Sequence, residues 1–413
     1  MRLFTTLLLT ATPTLAATPE EVTQHYADLA LAGYEDSLTT ATALQQAVAA
    51  LIATPSDATL QAARDAWKAA RVPYQQTEAF RFGNPIVDDW EGRVNSWPLD
   101  EGLIDYTSGD YGNEENQLAT LNVIATPKFT LSGAEIDATT ITPALISGTL
   151  HEADGIEANV ASGYHAIEFL LWGQDLNGTN PGAGTRPYTD FASGDACTGG
   201  NCDRRAAYLQ SATDLLVADL TEMAGNWGED GPARLAVTAD PQAGLLAMLT
   251  GMGSLSYGEL GGERMKLGLM LNDPEEEHDC FSDNTHNSHF YDGVGIRNVY
   301  LGTYTRADGS TLSGPSLAEL LAAADPAVDA QLKGELDASV TALQAVKDAG
   351  DAGKTYDTLI APGNAEGEAL IMAAVNALVT QTASIDRAVI ALGLSKVSFE
   401  GSDSLDNPNA VFQ

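Results

Sequence analysis

Apolar residues recur every three or four positions through most of this 413-residue chain. The pattern is longest over 26–52, and Ser56 and Asp57 are typical of the N-cap of a second helix, in which Pro73 should cause a kink or a local end. Sustained alternation at a period of two, which is typical of half-buried strands, is scarce. The pattern predicts an all-α fold and argues against a β or doubly wound fold.

The same periodicity predicts further helices. We expect them at 144–172 with interruptions near Gly155 and Gly163, at 203–227 and 240–271, at 317–349 with a break at Asp325 and Pro326, and at 366–392. The segments 83–143 and 272–314 should be loop-rich. The chain is also longer than one hydrophobic core usually serves. Because a Gly/Pro cluster at 228–232 separates two halves with a similar order of elements, we expect two helical bundles related by duplication, 18–230 and 231–413, with long loop-rich excursions.

Charge limits the partners of this chain. Its 20 Lys and Arg against 57 Asp and Glu give a formal net charge of −37. Such a surface repels phosphate, so we expect no nucleic-acid partner and weak attraction to anionic lipid. The charge is compatible with an extracytoplasmic protein that handles cations.

The N-terminus is typical of a secretory signal. Arg2 precedes a short apolar run over 3–9, and small residues follow at Ala16 and Ala17. We therefore expect residues 1–17 to be a signal peptide and the mature protein to be periplasmic. No later stretch approaches about 20 apolar residues, so no transmembrane span is expected.

The three cysteines differ in their surroundings. Cys197 and Cys202 flank a short flexible loop, which in an oxidising compartment favours a disulfide between them. A zinc site there would lack a second pair of ligands. Cys280 is left over, and its role stays open.

One short motif carries candidate chemistry, Gly163-Tyr-His165-Ala-Ile-Glu168. Residues three apart share a helix face, so the His165 and Glu168 side chains can converge. The same spacing also suits a hydrogen-bonded pair in a core. There is no nucleophile elbow, P-loop or His-Glu-x-x-His motif, and a calcium loop beginning at Asp175 fails because Arg186 occupies the position of its bidentate carboxylate.

Further segments, together with this motif, closely resemble the imelysin-like family, which includes imelysin-type peptidases and the iron-regulated protein A group. The resemblance covers roughly 21–394. The segments are YQQTEAFRF at 74–82, EGRVNSWPLDEGLIDY at 91–106, GELGGERMK at 258–266 and EEEHDCFSDNTHNSH at 275–289.

The resemblance implies an exported protein of two duplicated helical bundles, with a functional site near their interface centred on His165 and Glu168. It also implies a role in iron acquisition through periplasmic metal binding rather than catalysis. The peptidase name transfers poorly, since the sequence shows no full set of zinc ligands with a general base.

Five more carboxylates are candidate metal ligands, because iron favours carboxylate and imidazole donors. Glu78 lies one helix before the motif and is the expected third ligand, although it suits an exposed position equally well. Asp100 and Glu101 could instead cap a helix. Glu259 and Glu263 should share a helix face, where like charges need compensation by a cation or a neighbouring base.

The segment 275–289 holds three of the six histidines. We expect a solvated polar loop there in preference to a metal cluster, with a structural role at the interface also open. His278 and His289 are therefore left out of the expected ligands.

The leading hypothesis is a periplasmic iron-binding protein that serves iron uptake. The ligand would be ferrous or ferric iron, an iron chelate, or another divalent metal, handed to a periplasmic or outer-membrane transport component. The alternatives are an imelysin-type metallopeptidase, in which Glu168 would be a ligand or general base, and a non-catalytic periplasmic adaptor.

Overall fold

The structure is a computed structural model that describes residues 17–108 and 116–412, so nearly all of the expected signal peptide lies outside the described residues. The described chain is helical apart from two short hairpins, which confirms the all-α prediction. The helices are α1 Pro19–Ala53, α2 Asp57–Thr77, α3 Pro85–Asn95, α4 Glu101–Ile104, α5 Pro143–Leu145, α6 Gly163–Trp172, α7 Cys202–Asn226, α8 Pro232–Thr238, α9 Pro241–Ser254, α10 Gly268–Leu271, α11 Thr285–Leu301, α12 Leu317–Ala324, α13 Pro326–Asp351, α14 Tyr356–Ile360, α15 Ala365–Ala391 and α16 Asp403–Asp406.

Two π-helical segments, several short 3₁₀ helices and two antiparallel hairpins complete the regular structure of the described residues. The longer π-helical segment, Leu255–Leu267, joins α9 to α10 in one continuous helix. The shorter one, Ile146–Leu150, follows α5. The hairpins pair β1 Lys128–Leu131 with β2 Ala134–Asp137, and β3 Thr303–Thr305 with β4 Thr311–Ser313.

Side chains at the ends of α1 and α2 explain where these helices begin. Thr18 accepts a hydrogen bond from the Glu21 N–H, and the Glu21 carboxylate accepts one from the Thr18 N–H. Ser56 caps α2 in the same reciprocal way with Thr59. Both are capping boxes, which satisfy backbone N–H groups that a helix start leaves unpaired. Of the two effects expected of Pro73, a kink or a local end, the local end does not occur, because α2 continues through Pro73 to Thr77.

The segment 272–314 is more ordered than the expectation of loops. It contains α11, whose 17 residues include His286, His289 and Asp292 on buried positions. Hydrophobic periodicity does not identify this helix, because its buried face is partly polar. The expectation of irregular structure there was wrong for 285–301.

Packing connects elements from both sides of the expected boundary at 230/231. The long helix α1 packs against α2 and α7, and also against α8 and α9. Helix α11 packs against α2 on one side and α13 on the other, and α13 pairs with α15. The buried apolar residues of all these helices form one contiguous core. The division at 230/231 stays a prediction.

Helix α15 alone among the described helices is long and apolar enough to span a membrane by length and composition. This qualifies the expectation that no later stretch would approach that length. Helix α15 buries residues such as Ile371, Leu378 and Ile385 and packs against α13, α9 and the longer π-helical segment. Part of the apolar surface of α15 is therefore buried in the protein, and a single such helix is weak evidence for a membrane span.

Candidate metal centre

The glycine of the motif allows α6 to begin against the backbone of α3. Gly163 has a φ of +80°, and a Cβ atom built on it would lie 2.4 Å from the carbonyl oxygen of Val94. Any other residue would therefore meet both backbone strain and a steric clash. The Trp67 indole N–H donates to the Tyr164 carbonyl at 2.9 Å, which ties the first turn of α6 to α2. These contacts fix the direction in which the next residue, His165, points.

His165 and Glu168 are fully buried and contact each other, as their spacing predicts. Nδ1 of His165 lies 3.1 Å from Oε2 of Glu168. The other carboxylate oxygen, Oε1, accepts a hydrogen bond from the Ser282 N–H at 3.0 Å. Nε2 of His165 is buried and has no hydrogen-bond partner among the described residues. The pair thus leaves one imidazole nitrogen available to a ligand.

Two residues from the segment 275–289 meet His165. The potential ligand atoms of His165, His278 and Asp279 all lie within 4.8 Å of one another, and all three side chains are buried. The two imidazole rings are in edge contact, with their centroids 4.9 Å apart. Two imidazoles and one carboxylate thus converge on one point.

Arg71 of α2 organises the other side of this cluster. Its guanidinium donates to Oδ1 of Asp279 at 2.7 Å and to Oδ1 of Asn95 at 2.6 Å. Because Arg71 only donates, Asn95 must turn its amide nitrogen toward Nε2 of His278, 3.4 Å away. Nε2 of His278 then faces a donor, which favours the tautomer with a lone pair on that nitrogen.

The buried environment sets the protonation of the three candidate ligands. Burial, followed by the charge of Arg71, lowers the pKa of His165 well below its usual value, and burial with Arg264 does the same for His278. Burial opposes ionisation of Asp279, but the Arg71 guanidinium and the neighbouring hydrogen bonds outweigh it and lower that pKa to about 2. Near neutral pH the cluster therefore offers two neutral imidazoles and one carboxylate.

Glu168 differs from Asp279 in its protonation. Burial, and then the negative charge of Asp279, raise the pKa of Glu168 well above its usual value. Among the described residues no guanidinium forms an ion pair with its carboxylate, which contacts the His165 ring and Ser282. Glu168 is thus placed to share a proton with His165.

A cavity of about 490 Å³ reaches the cluster at His278 and Asn95. Seven Asp and Glu side chains line it against two arginines, Arg81 and Arg264. Trp97 lies at the same wall, and its ring also contacts the His165 ring. An acidic cavity concentrates cations near its walls.

Two of the sequence-predicted ligands lie around Arg264 instead of His165. The Arg264 guanidinium binds Glu78 at 2.6 Å and Glu259 at 2.8 Å, and it also contacts Asp292. Glu259 faces Arg81 as well. The structure therefore does not bring Glu78 or Glu259 into the group formed by His165, His278 and Asp279.

The other three predicted carboxylates also lie outside that group. Glu263 is exposed on the cavity wall. Asp100 is the N-cap residue of α4, where it accepts a hydrogen bond from the Asn116 amide, and Glu101 is buried in the first turn of the same helix. Asp100 therefore occupies a helix-capping position, which the sequence offered as the alternative to metal binding.

The segment 275–289 is largely buried, so the expectation of a solvated polar loop was wrong. Its side chains fill the space between α2, α6 and α11, where Ser288 and Asn284 donate to Asp279. His278 and Asp279 belong to the structural cluster, although neither is among the ligands expected from the sequence. Two features of the sequence could have indicated these residues. Three of the six histidines lie in this segment, and the family resemblance extends through it.

The cysteines have the predicted pairing. Cys197 and Cys202 form a disulfide just before and at the first residue of α7, and Cys280 is a free, buried thiol. Burial raises the pKa of the Cys280 thiol well above its usual value. It is therefore a thiol and not a thiolate ligand at neutral pH.

The family model described as Imelysin (Peptidase M75) matches residues 30–385. The chain belongs to the imelysin family. This confirms the resemblance that the motif and its companion segments predicted, and it places the cluster around His165 within the part of the chain that the imelysin model covers.

Several relatives resemble this imelysin-family chain. Iron-regulated protein A of Synechococcus elongatus is 42% identical over 64 residues, which are 15% of this chain and 18% of that relative. A Parabacteroides distasonis protein assigned as an iron-regulated protein A precursor has a crystal structure that aligns with a TM-score of 0.64 at 20% identity, over 93% of this chain and 98% of that one. An imelysin-like protein from Psychrobacter arcticum aligns with a TM-score of 0.55 at 16% identity, over 94% and 100%. The two structures share the fold.

Proposed function

We propose that this protein binds iron outside the cytoplasm, through His165, His278 and Asp279, and delivers it for uptake. The observation that carries the proposal is the convergence of these three buried side chains on one point within 4.8 Å. Iron is the cargo here, captured and released without covalent chemistry.

The donor set suits iron better than the lighter hard cations. Two imidazoles and one carboxylate are a ligand combination that non-haem ferrous iron uses in proteins, with further positions open to water or a chelate. The orphaned Nε2 of His165 supports this assignment, because a buried polar atom without a partner costs free energy that a ligand can recover. Ferrous and ferric iron both remain compatible with the set.

Glu168 acts in this proposal through His165. A metal on Nε2 requires the proton on Nδ1, and Glu168 then accepts that hydrogen bond as a carboxylate. Because the pKa of Glu168 is raised in the metal-free protein, metal binding should release a proton from this pair. Glu168 is therefore an orienting partner of the ligand His165, in place of the direct ligand expected from the sequence.

The acidic cavity supports capture. It gives a cation a path to His278, while the Trp97 ring covers the His165 side of the cluster. The names of two relatives, which mention regulation by iron, support iron as the cargo. A relative described as a precursor and the signal-like N-terminus support export to the periplasm.

Metal titration tests the proposal. Metal-depleted protein should bind ferrous iron, added without oxygen, and His165→Ala and His278→Ala should each weaken binding by about 100-fold or more because each removes one of three ligands. Glu168→Gln should weaken it by roughly 10- to 100-fold, the usual effect of losing a partner that orients a metal ligand. Calorimetry with elemental analysis measures affinity and stoichiometry.

His286→Ala is the matched control. His286 lies in the same histidine-rich segment but pairs with Asp351 outside the cluster, at 3.3 Å, so this variant should keep wild-type affinity. Unchanged iron affinity in both His165→Ala and His278→Ala would refute the site. Peptide hydrolysis that disappears with a chelator and in His165→Ala would replace the cargo role by the metallopeptidase alternative.

A further inference from the structure

Three aspartates from separate segments meet in a second place, away from the iron site. Asp175 lies in the loop after α6, Asp283 just before α11, and Asp357 in α14. One carboxylate oxygen from each lies within 4.8 Å of the other two. Oxygen ligands on opposite sides of a calcium ion are roughly 4.6–5.2 Å apart, twice the usual Ca–O distance. The spacing therefore suits a single Ca²⁺ between them.

Burial makes this group different from an ordinary acidic surface. Asp357 is 1% exposed and Asp283 is 9% exposed. Within the described residues, no donor meets hydrogen-bond geometry at either carboxylate oxygen of Asp357 or at Oδ1 of Asp283. The Thr355 hydroxyl and the Thr358 N–H lie beside Asp357, and the Gly182 N–H lies beside Asp283, so these carboxylates have polar neighbours but no cationic partner. An ionised carboxylate buried without hydrogen bonds or a counter-charge costs several kcal/mol in proteins. The unpartnered oxygens of Asp357 thus point to a missing cation.

The surrounding protein does not supply that cation. In the part of the chain that the structure describes, no lysine or arginine forms an ion pair with any of the three aspartates. The charge of Lys68 lowers the pKa of Asp283, but Lys68 lies over the Trp172 ring and forms no ion pair with Asp283. A fourth buried carboxylate, Glu277, faces the same three aspartates and has an unpartnered Oε2. Burial and the neighbouring carboxyl groups raise the pKa of Asp283 to about 7 and raise the pKa values of Glu277 and Asp357, so ionising this group of acids requires a cation.

Hydrogen bonds hold the loop that carries Asp175 in place without a bound metal. Its Oδ1 accepts hydrogen bonds from the backbone N–H and the side-chain amide of Asn177, at 2.8 and 2.7 Å. Asp175 is also the partly exposed member of the three, which leaves a route from solvent. A metal could therefore reach a site whose ligands are held in place beforehand.

The geometry points to a calcium site formed by Asp175, Asp283 and Asp357, separate from the iron site and structural in its role. Three carboxylates with no nitrogen or sulfur donor select a hard cation, and water completes the coordination. The ion ties the loop that follows the motif helix to α14, near the end of the chain. The ligands of this site come from three distant segments, and not from one contiguous calcium-binding loop that begins at Asp175.

Calcium-dependent thermal unfolding of the full chain tests the site. Chelator-treated wild-type protein should unfold several degrees higher in 1 mM CaCl₂ than in chelator. Asp357→Asn keeps the side-chain shape and removes one ligand charge, so its shift should fall below one degree and its Ca²⁺ affinity in calorimetry at least tenfold. Without calcium, Asp357→Asn should be no less stable than wild type, because the substitution relieves repulsion between like charges.

The controls separate this site from general acidity and from iron binding. Asp195→Asn, at an exposed aspartate elsewhere, should keep the full calcium shift, as should His165→Ala, while Asp357→Asn should keep wild-type iron affinity. If Asp357→Asn does not fold, Asp283→Asn decides by the same criteria. The site is refuted if wild type shows no calcium shift, or if the Asp357 and Asp283 variants shift as wild type does.

Discussion

At the scale of single residues, His289 shows how burial controls protonation in this protein. Its ring is fully buried against Tyr356, with centroids 4.9 Å apart, and neither nitrogen has a hydrogen-bond partner among the described residues. Burial, followed by the charge of Arg264, lowers the pKa of His289 to about 3. In the unfolded chain the same group titrates near 6.5. The two states thus bind different numbers of protons between these two pH values.

His289→Phe should therefore flatten the pH dependence of stability. Between about pH 6.5 and 3 the unfolded wild type binds a proton at His289 that the folded state does not, so the free energy of unfolding falls as pH falls, by about 1.4 kcal/mol per pH unit from this group. The variant keeps a ring against Tyr356 and loses this contribution. Urea unfolding of both proteins at pH 4, 5 and 6 measures the difference in slope.

Tyr356→Phe serves as the control for this measurement. It alters the same ring pair, but burial raises the pKa of Tyr356 well above 10, so its hydroxyl does not titrate in the acid range. Its effect on stability should be the same at each of these pH values. Parallel curves for wild type and His289→Phe would show that His289 titrates alike in both states.

Residue spacing predicted the part of the candidate site that is local in sequence. The His165–Glu168 contact follows from positions three apart on one helix. The residues that complete the cluster could not be found in this way, because Ser282 and its neighbours are about 114 positions from Glu168 and meet it only through tertiary packing. The same limit applies to Glu78, whose partner Arg264 comes from a distant helix.

At the scale of elements, the longer π-helical segment explains the charge pairing around Arg264. In a π-helix the backbone hydrogen bonds join residues five apart. Glu259 and Arg264 have this spacing, and Arg264 Nε donates to Glu259 at 3.0 Å. On the α-helix that the sequence predicts, Glu259 and Glu263 would instead share a face. Arg264 also binds Glu78 at the end of α2 and Asp292 in α11, so one side chain joins three elements.

Arg264→Met should destabilise the protein by about 3–5 kcal/mol, because it leaves buried carboxylates without their counter-charge. Arg297→Met is a matched control, since Arg297 pairs with Asp337 at the surface and such pairs contribute about 1 kcal/mol or less. Adding Glu78→Gln and Asp292→Asn to Arg264→Met should recover part of the loss. Denaturant unfolding measures all four proteins, and an equally small effect for both arginines would contradict the assigned role.

The sequence predicted most of the helices whose buried residues are apolar. The periodicity over 26–52 and the Ser56 N-cap located α1 and α2, and the break at Asp325 and Pro326 separates α12 from α13 as expected. Hydrophobic periodicity did not predict helix α11, because several of its buried positions hold histidine, aspartate or serine instead of apolar residues. Buried polar residues of this kind are typical of functional sites. They are the reason why neither helix α11 nor the candidate ligands in the segment before it could be predicted from hydrophobic periodicity.

At the scale of the whole molecule, the two expected bundles are connected by buried charges. Arg71 and Asp279 come from opposite sides of residue 230 and form a buried ion pair at 2.7 Å. Glu78 and Arg264 do the same at 2.6 Å. Separating the halves would leave each of these charges without its partner, which costs several kcal/mol per pair. The candidate iron site itself draws His165 from one half and His278 from the other.

These connections predict that the two halves unfold together. Leu216 in α7 and Leu343 in α13 are buried in different halves, and replacing either with alanine should cost about 2–5 kcal/mol through lost burial and a cavity. In calorimetry, wild-type protein should show one transition, and each variant should move that whole transition to lower temperature. Independent bundles would instead give two transitions, with Leu216→Ala moving one and Leu343→Ala the other. A single transition that both variants shift would mean that the contacts between the two expected halves, including those around the candidate metal ligands, are as stable as the helices around them.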